Sequence, residues 1–250
     1  MPTDEWPHLS NAPITEAVIE FQFAISDNVT IDMLRKVADE LKASFPQQDE
    51  KRSSFFKAVM TPSGPETEMY DQGVVGISVK SEDGNKIVQL LRDRFAFSHL
   101  PPYKNWELLE EDAIAIWNIF LEKTNIGGIN RVGVRFINRI ELEVPFSDFN
   151  DYLVAAPIIP VGLPQALGAF NMQLAIPNHE IGADAIVNMS MGGWDKEKNI
   201  VPVFLDIDVG KVGNIDVDKE SLHNILVGLR KYKNELFFRN ITENVVRKYK

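Results

Sequence analysis

The sequence has no cysteine in its 250 residues. Disulfide bonds, thiolate nucleophiles and cysteine-ligated zinc are therefore excluded. It also lacks an apolar run of the roughly 18 residues that a membrane-spanning helix needs, because its longest apolar stretch, around 154–161, is interrupted by Pro157 and Pro160. The start, Met1-Pro-Thr-Asp-Glu5, is acidic and polar, whereas a secretory signal peptide starts basic and then becomes apolar. These absences predict a cytoplasmic protein without a membrane partner.

Positive charge is also scarce, since 26 basic residues stand against 36 acidic ones and the net charge is −10. Cationic side chains drive non-specific nucleic-acid binding by releasing counterions, so this balance argues against a nucleic-acid partner for the chain as a whole. A chain of this length can bury an apolar core without disulfide bonds or metal ions. We therefore expect one large domain or two small ones.

Hydrophobic periodicity predicts an α+β fold. The predicted strands are 17–25, 55–61, 73–80, 86–97, 129–143, 168–176, 184–191 and 201–209. The predicted helices are 30–45, capped by Asp27 or Thr30, then 106–123, 147–153 and 218–238, with a last one from Thr242. We expect a mostly antiparallel sheet with one apolar face covered by helices and one charged face. The predicted core consists of Ile19, Phe21, Phe23, Trp117, Phe120, Val132, Val134, Phe136, Leu205 and Ile207.

The two halves of the chain follow the same order of elements. Residues 1–128 and 129–250 each read as strand, helix, three strands and helix. Their similar length and order suggest a duplicated β-α-β-β-β-α unit, although few residues are identical between them. One continuous domain with a single sheet is the alternative.

Several segments together resemble a known family. They are Leu9-Ser-Asn-Ala-Pro-Ile14 with Glu16-Ala17, Ile129-Asn-Arg-Val-Gly-Val-Arg-Phe-Ile-Asn-Arg-Ile140, Pro157-Ile-Ile-Pro160, Leu205-Asp-Ile-Asp208, Phe237-Phe238 and Ile241-Thr242-Glu243. In order and spacing they resemble a sporadically distributed family of bacterial and archaeal proteins of about this length, and the resemblance covers nearly the whole chain. It implies a prokaryotic intracellular protein. It implies no catalytic residue, because the family has no assigned reaction.

The strand 129–140 carries the clearest candidate site. Because side chains alternate with period two, Arg131, Arg135 and Arg139 share the face opposite to the apolar residues. A row of guanidinium groups can bind phosphates or carboxylates through paired hydrogen bonds, which makes these arginines anion-binding candidates. The alternative is a structural row, paired with acidic residues of neighbouring strands. Asp206 and Asp208 are the first expected partners, and Glu16 and Glu20 the second.

A sharper hypothesis places a metal ion on the same face. If the sheet curves, Asp206 and Asp208 could hold Mg²⁺ or Mn²⁺ while the arginines hold phosphate oxygens. Enzymes that process triphosphates in such tunnels carry alternating acidic residues on the first strand. Here that pattern is absent, because Glu16 and Glu20 lie four residues apart.

No catalytic motif stands out elsewhere. The four histidines are scattered without zinc-ligand spacing, and the sequence has neither a Gly-x-Ser-x-Gly elbow nor a phosphate-binding Gly-Lys-Ser/Thr loop. The leading hypothesis is therefore a non-catalytic protein without a cofactor, which binds another protein or assembles with itself. The alternative is a divalent-metal-dependent phosphate-handling enzyme. The third hypothesis is nucleic-acid binding through the arginine strand.

Overall fold

The structure is a computed structural model that describes residues 6–26, 29–61 and 64–250, with the backbone alone at 55–61, 65, 66 and 68. The strands are β1 (Ile14–Gln22), β2 (Gln47–Thr61), β3 (Gly64–Lys80), β4 (Lys86–Leu91), β5 (Arg94–His99), β6 (Ile129–Glu143), β7 (Asn171–Asn178), β8 (Ala183–Met191) and β9 (Ile200–Ile215). The helices are α1 (Ile31–Leu41), α2 (Trp106–Lys123), α3 (Lys219–Asn240) and α4 (Glu243–Tyr249), with a 3₁₀ turn at Phe149–Asp151.

All these strands belong to one nine-stranded sheet, in the order β2-β3-β4-β5-β1-β6-β9-β8-β7. Each neighbouring pair is antiparallel. The α+β prediction is therefore confirmed. The first strand of each half, β1 and β6, lies at the centre of the sheet, and β2 and β7 form its two edges.

The strand order runs symmetrically outward from the β1–β6 pair. On one side β5, β4 and β3 follow β1, and on the other side β9, β8 and β7 follow β6. The halves also differ, because β2 has no counterpart in the second half and a 3₁₀ turn stands where the first half has α1. The duplication stays a prediction, which superposition of the two halves would test.

Side-chain caps explain where three of the helices begin. The hydroxyl of Thr30 accepts a hydrogen bond from the backbone N–H of Met33 and starts α1, whereas Asp27 lies outside the described residues. Asn105 caps α2 and Asp218 caps α3 in the same way. Helices α1 and α2 pack on strands of the first half, and α3 packs on β6 and β9.

The ten predicted core residues are all buried. Trp117 of α2 lies at the centre of an aromatic cluster, with ring centroids 4.7 Å from Phe21, 5.3 Å from Phe95 and 5.3 Å from Phe120. Because apolar side chains alternate along β1 and β6, they meet the helices on one face and leave the charged side chains on the other.

Candidate functional site

The three predicted arginines lie on the uncovered face of the sheet, and each is paired with a carboxylate. Arg131 donates from Nη1 to Glu20 at 3.0 Å and from Nη2 to Asp208 at 2.7 Å. Arg135 donates from Nε and Nη2 to the two oxygens of Asp206, at 2.8 and 2.7 Å.

Arg139 pairs with Glu141 of its own strand. The hydrogen bonds that Arg135 donates to Asp206 raise the pKa of its guanidinium, and they outweigh burial, which lowers it. Of the four expected acidic partners, Asp206, Asp208 and Glu20 make these contacts directly. Glu16 acts on Arg135 only through its charge.

Two glycines form a cradle under Arg131. Gly133 of β6 and Gly210 of β9 are direct neighbours in the sheet. A Cβ at Gly133 would lie 2.2 Å from Arg131 Nη1, and one at Gly210 would lie 2.5 Å from Arg131 Nε. The guanidinium therefore lies flat on the sheet, between Glu20 of β1 and Asp208 of β9, and links three strands.

Carboxylates outnumber arginines on this part of the sheet. A recess of about 600 Å³ opens at its centre. Three arginines line this recess: Arg94, Arg131 and Arg135. Four carboxylates line it as well: Glu16, Glu20, Asp184 and Asp208. A fifth carboxylate, Asp206, lies outside the recess and binds Arg135. Arg94 also pairs with Glu20, at 3.1 Å. This balance favours the structural interpretation of the row, while anion binding by Arg131, Arg135 and Arg139 stays a prediction.

The proposed metal ligands are held by arginines. Asp206 is bound by Arg135, and Asp208 by Arg131. Within the described residues, no group of three histidine, aspartate or glutamate side chains could hold a metal ion. A Mg²⁺ or Mn²⁺ site at Asp206 and Asp208 stays a prediction.

A second feature is an exposed aliphatic loop, residues 154–163, which precedes β7. It contains no helix or strand. The exposed fraction is 60% for Val154, 91% for Ile158, 103% for Val161 and 56% for Leu163. A contiguous exposed apolar patch marks an interaction surface more often than single apolar residues do, and these four residues lie within ten positions of the chain. In the sequence this stretch appeared only as an apolar run interrupted by prolines.

The two edges of the sheet differ in charge. Strand β2 carries Asp49, Glu50, Lys51 and Arg52, which is how proteins usually protect an edge from pairing with another chain. Strand β7 contains no charged residue from Asn171 to Asn178. No described strand pairs with its outer side. Edge β7 is therefore open to a further strand.

A third feature is a cavity of about 370 Å³ on the helix-covered face, which we call the helix-side pocket. It lies between residues 6–14, the start of α2 and the second half of α3. Phe136 and Asn138 of β6 also line it. The sequence reasoning missed it. One signal was available: Asn138 interrupts the apolar alternation of β6 and is nevertheless 98% buried, with 2% exposed.

No protein-family model matches the sequence, and no curated protein is significantly similar to it. The resemblance to the bacterial and archaeal family therefore stays a prediction. Among the described residues, no helix combines the length and apolar character that crossing a membrane requires.

Proposed function

We propose that this protein is a non-catalytic interaction protein that assembles with a second copy of itself through β7 and the aliphatic loop. The observation that carries the proposal is the uncharged edge of β7, together with the exposed aliphatic residues of the loop 154–163, from which residues 164–170 separate it. An unprotected edge strand offers a row of free backbone N–H and C=O groups, which pair readily with another strand.

A second copy is the simplest occupant of this edge. Two antiparallel β7 strands can pair around a twofold axis, because such an interface needs only one surface that is complementary to itself. Because β7 carries no charge, pairing two copies of it removes no charged side chain from water. Pro177 cannot donate a backbone hydrogen bond, so we place the pairing at 171–176.

The aliphatic loop supplies the apolar part of the interface. Burying an exposed aliphatic side chain contributes about 1.5–3 kcal/mol, part of which offsets the entropy lost on association. Ile158 and Val161, which are almost fully exposed, have the most area to bury. In a twofold assembly each contributes twice.

Light scattering coupled to gel filtration tests the proposal. We expect the wild-type protein to elute with twice the 28.3 kDa of the chain. Leu174→Lys places a charge on the β7 edge. The double variant Ile158→Lys/Val161→Lys places two charges in the aliphatic loop. Each of these two variants should be a monomer. Val227→Lys is the matched control, because Val227 is also exposed but lies on α3. The proposal is overturned if the wild-type protein stays monomeric at about 100 μM, which is roughly 100 times a micromolar dissociation constant.

A further inference from the structure

The helix-side pocket has the size and the walls of a site for a small aromatic molecule. Its volume of about 370 Å³ falls in the range of roughly 300–1,000 Å³ that is usual for small-molecule sites. Two of the four tryptophans of the chain line it. Its aromatic lining residues are Trp6, Tyr103, Trp106, Phe136, Phe237 and Phe238. These rings favour a planar aromatic ligand, because ring–ring contacts stabilise beyond the area that they bury.

The aromatic walls are held in place by contacts within the protein. Trp6, Tyr103 and Phe238 are half-buried, so part of each ring is accessible, while the other aromatic lining residues are buried. The ring of Trp6 stacks on that of Phe238, with centroids 5.2 Å apart and planes 7° apart. The ring of Tyr103 packs edge-on against Phe136, with centroids 5.6 Å apart and planes 79° apart. The pocket is therefore formed before a ligand enters it.

The charged groups at the pocket are engaged with the protein or exposed to water. Arg230 donates from Nη1 to Glu107 at 3.1 Å. The ammonium of Lys233 lies 3.8 Å from the centroid of the Phe136 ring. Lys104 is exposed, and attraction between charges is weak in water. A charged ligand would have to compete with these contacts, and taking an ion out of water without a free counter-ion is costly. The lining therefore favours a neutral ligand.

Tyr103 offers a hydrogen-bond donor to such a ligand. No described residue forms a hydrogen bond with its hydroxyl. The hydroxyl is also accessible, since the fully buried side-chain atoms that lack a partner among the described residues are Arg94 Nε and Trp117 Nε1. Burial of the ring raises the pKa of the Tyr103 hydroxyl. The hydroxyl therefore stays protonated at neutral pH and can donate to a ligand oxygen.

Asn234 of α3 offers both a donor and an acceptor. Its side chain is half-buried and lines the pocket, and it forms no hydrogen bond with any described residue. A primary amide has one oxygen acceptor and two N–H donors. Two amides can therefore pair side by side, with an N–H of each donating to the oxygen of the other.

We propose that the helix-side pocket binds a neutral aromatic carboxamide. The aromatic walls hold the ring of the ligand, the Tyr103 hydroxyl donates to the amide oxygen, and the carboxamide of Asn234 pairs with the amide. This site lies on the helix-covered face and does not depend on assembly through β7.

Equilibrium dialysis with three compounds of similar size tests the proposal. 1-Naphthamide is the neutral amide, 1-naphthoate is the corresponding anion, and 1-methylnaphthalene has no polar group. We expect the wild-type protein to bind 1-naphthamide at least tenfold more tightly than 1-naphthoate. Binding of 1-methylnaphthalene reports on the aromatic walls alone, so it shows whether a variant has kept the pocket intact.

Tyr103→Phe removes one hydroxyl and keeps the ring. It should melt like the wild type, bind 1-naphthamide severalfold more weakly and bind 1-methylnaphthalene equally well, because the amide alone uses the hydroxyl. Tyr152→Phe is the matched control. Tyr152 is also half-buried and its hydroxyl has no hydrogen-bond partner among the described residues, but it does not line the pocket. Its affinities for all three compounds should equal those of the wild type.

Asn234→Leu provides a second variant that keeps the approximate size of the side chain. It should also weaken binding of 1-naphthamide severalfold without weakening that of 1-methylnaphthalene. The proposal is overturned if the wild-type protein does not bind 1-naphthamide, if 1-naphthoate binds as tightly or more tightly, or if Tyr103→Phe and Asn234→Leu both bind 1-naphthamide like the wild type.

Discussion

The guanidinium of Arg131 occupies the space where a side chain at position 133 would begin, since a Cβ on Gly133 would lie 2.2 Å from Nη1. Gly133→Ala should therefore displace the guanidinium from Glu20 and Asp208. We expect the free energy of unfolding to fall by about 1–3 kcal/mol, the usual cost of leaving partly buried polar groups without partners. Urea denaturation measures it.

A double-mutant cycle separates this effect from the ordinary cost of changing a strand residue. In an Arg131→Met background, Gly133→Ala should be neutral or stabilise by up to about 1 kcal/mol, because alanine restricts the unfolded chain more than glycine does. Equal destabilisation in both backgrounds would show that Arg131 does not explain the glycine.

Arg135 distinguishes a structural row from an anion site. Arg135→Met removes both hydrogen bonds to Asp206, whose side chain is 15% exposed. We expect a loss of about 1 kcal/mol of stability, at the upper end for an ion pair with an exposed partner. Arg139→Met is the matched control and should cost less than about 0.5 kcal/mol, because its partner Glu141 lies on the same strand. A normal melt for Arg135→Met, combined with lost binding of phosphate or nucleic acid, would favour the anion site.

His99 should make stability depend on pH. It is buried at the end of β5, with Nε2 3.0 Å from Oδ2 of Asp112, which also pairs with Lys86 at 2.7 Å. Burial lowers the pKa of His99 below its ordinary value of 6.5, and this outweighs the opposing effect of Asp112. The unfolded chain therefore binds the proton of His99 more tightly than the folded chain does. The contribution of His99 to the free energy of unfolding is fully present above pH 6.5 and is lost as the pH drops below it.

The comparison with His99→Gln isolates this contribution. Chemical denaturation between about pH 5 and 8, where an unperturbed histidine titrates, should give a smaller loss of stability on acidification for His99→Gln than for the wild type. A steeper loss in the variant would mean that the pKa of His99 is raised on folding.

The metal-dependent hypothesis has a thermal test. A ligand present at 100 times its dissociation constant adds about 2.7 kcal/mol of stability. Since Asp206 and Asp208 are already bound by arginines, we expect no shift of the melting temperature with Mn²⁺ and nucleoside triphosphates. Hydrolysis of a nucleotide that required metal and was lost on Asp206→Asn would contradict the non-catalytic proposal.

The faces of the central strands were predictable, because period-two alternation is strong where one side is buried. This reasoning placed Val134 and Phe136 in the core and Arg135 outside it, and it identified Asp206 and Asp208 as partners of the arginines. Period-two alternation did not give the strand boundaries in the first half of the sheet. Strand β2 begins at Gln47 instead of 55, because 47–54 is polar and pairs with β3 through its backbone. The predicted strand 86–97 is two strands, β4 and β5, separated by a tight turn at Arg92-Asp93.

The helix-side pocket could not be derived in the same way. Its walls come from segments that are far apart in the chain, with Trp6, Tyr103, Phe136 and Lys233 among them. Each of these residues is unremarkable in its own segment. Only the packing of α2, α3 and the N-terminal segment on the centre of the sheet brings them together.

The central position of β1 and β6 has a consequence for how the chain reaches this structure. Arg131 and its partner Glu20 are 111 residues apart in the sequence, and contacts between such distant segments slow folding because a long loop must first be closed. Synthesis proceeds from the N-terminus, so β1 is an apolar edge strand with one side unpaired until β6 leaves the ribosome. During that interval the first half of the protein presents a surface prone to aggregation, which chaperones are suited to shield.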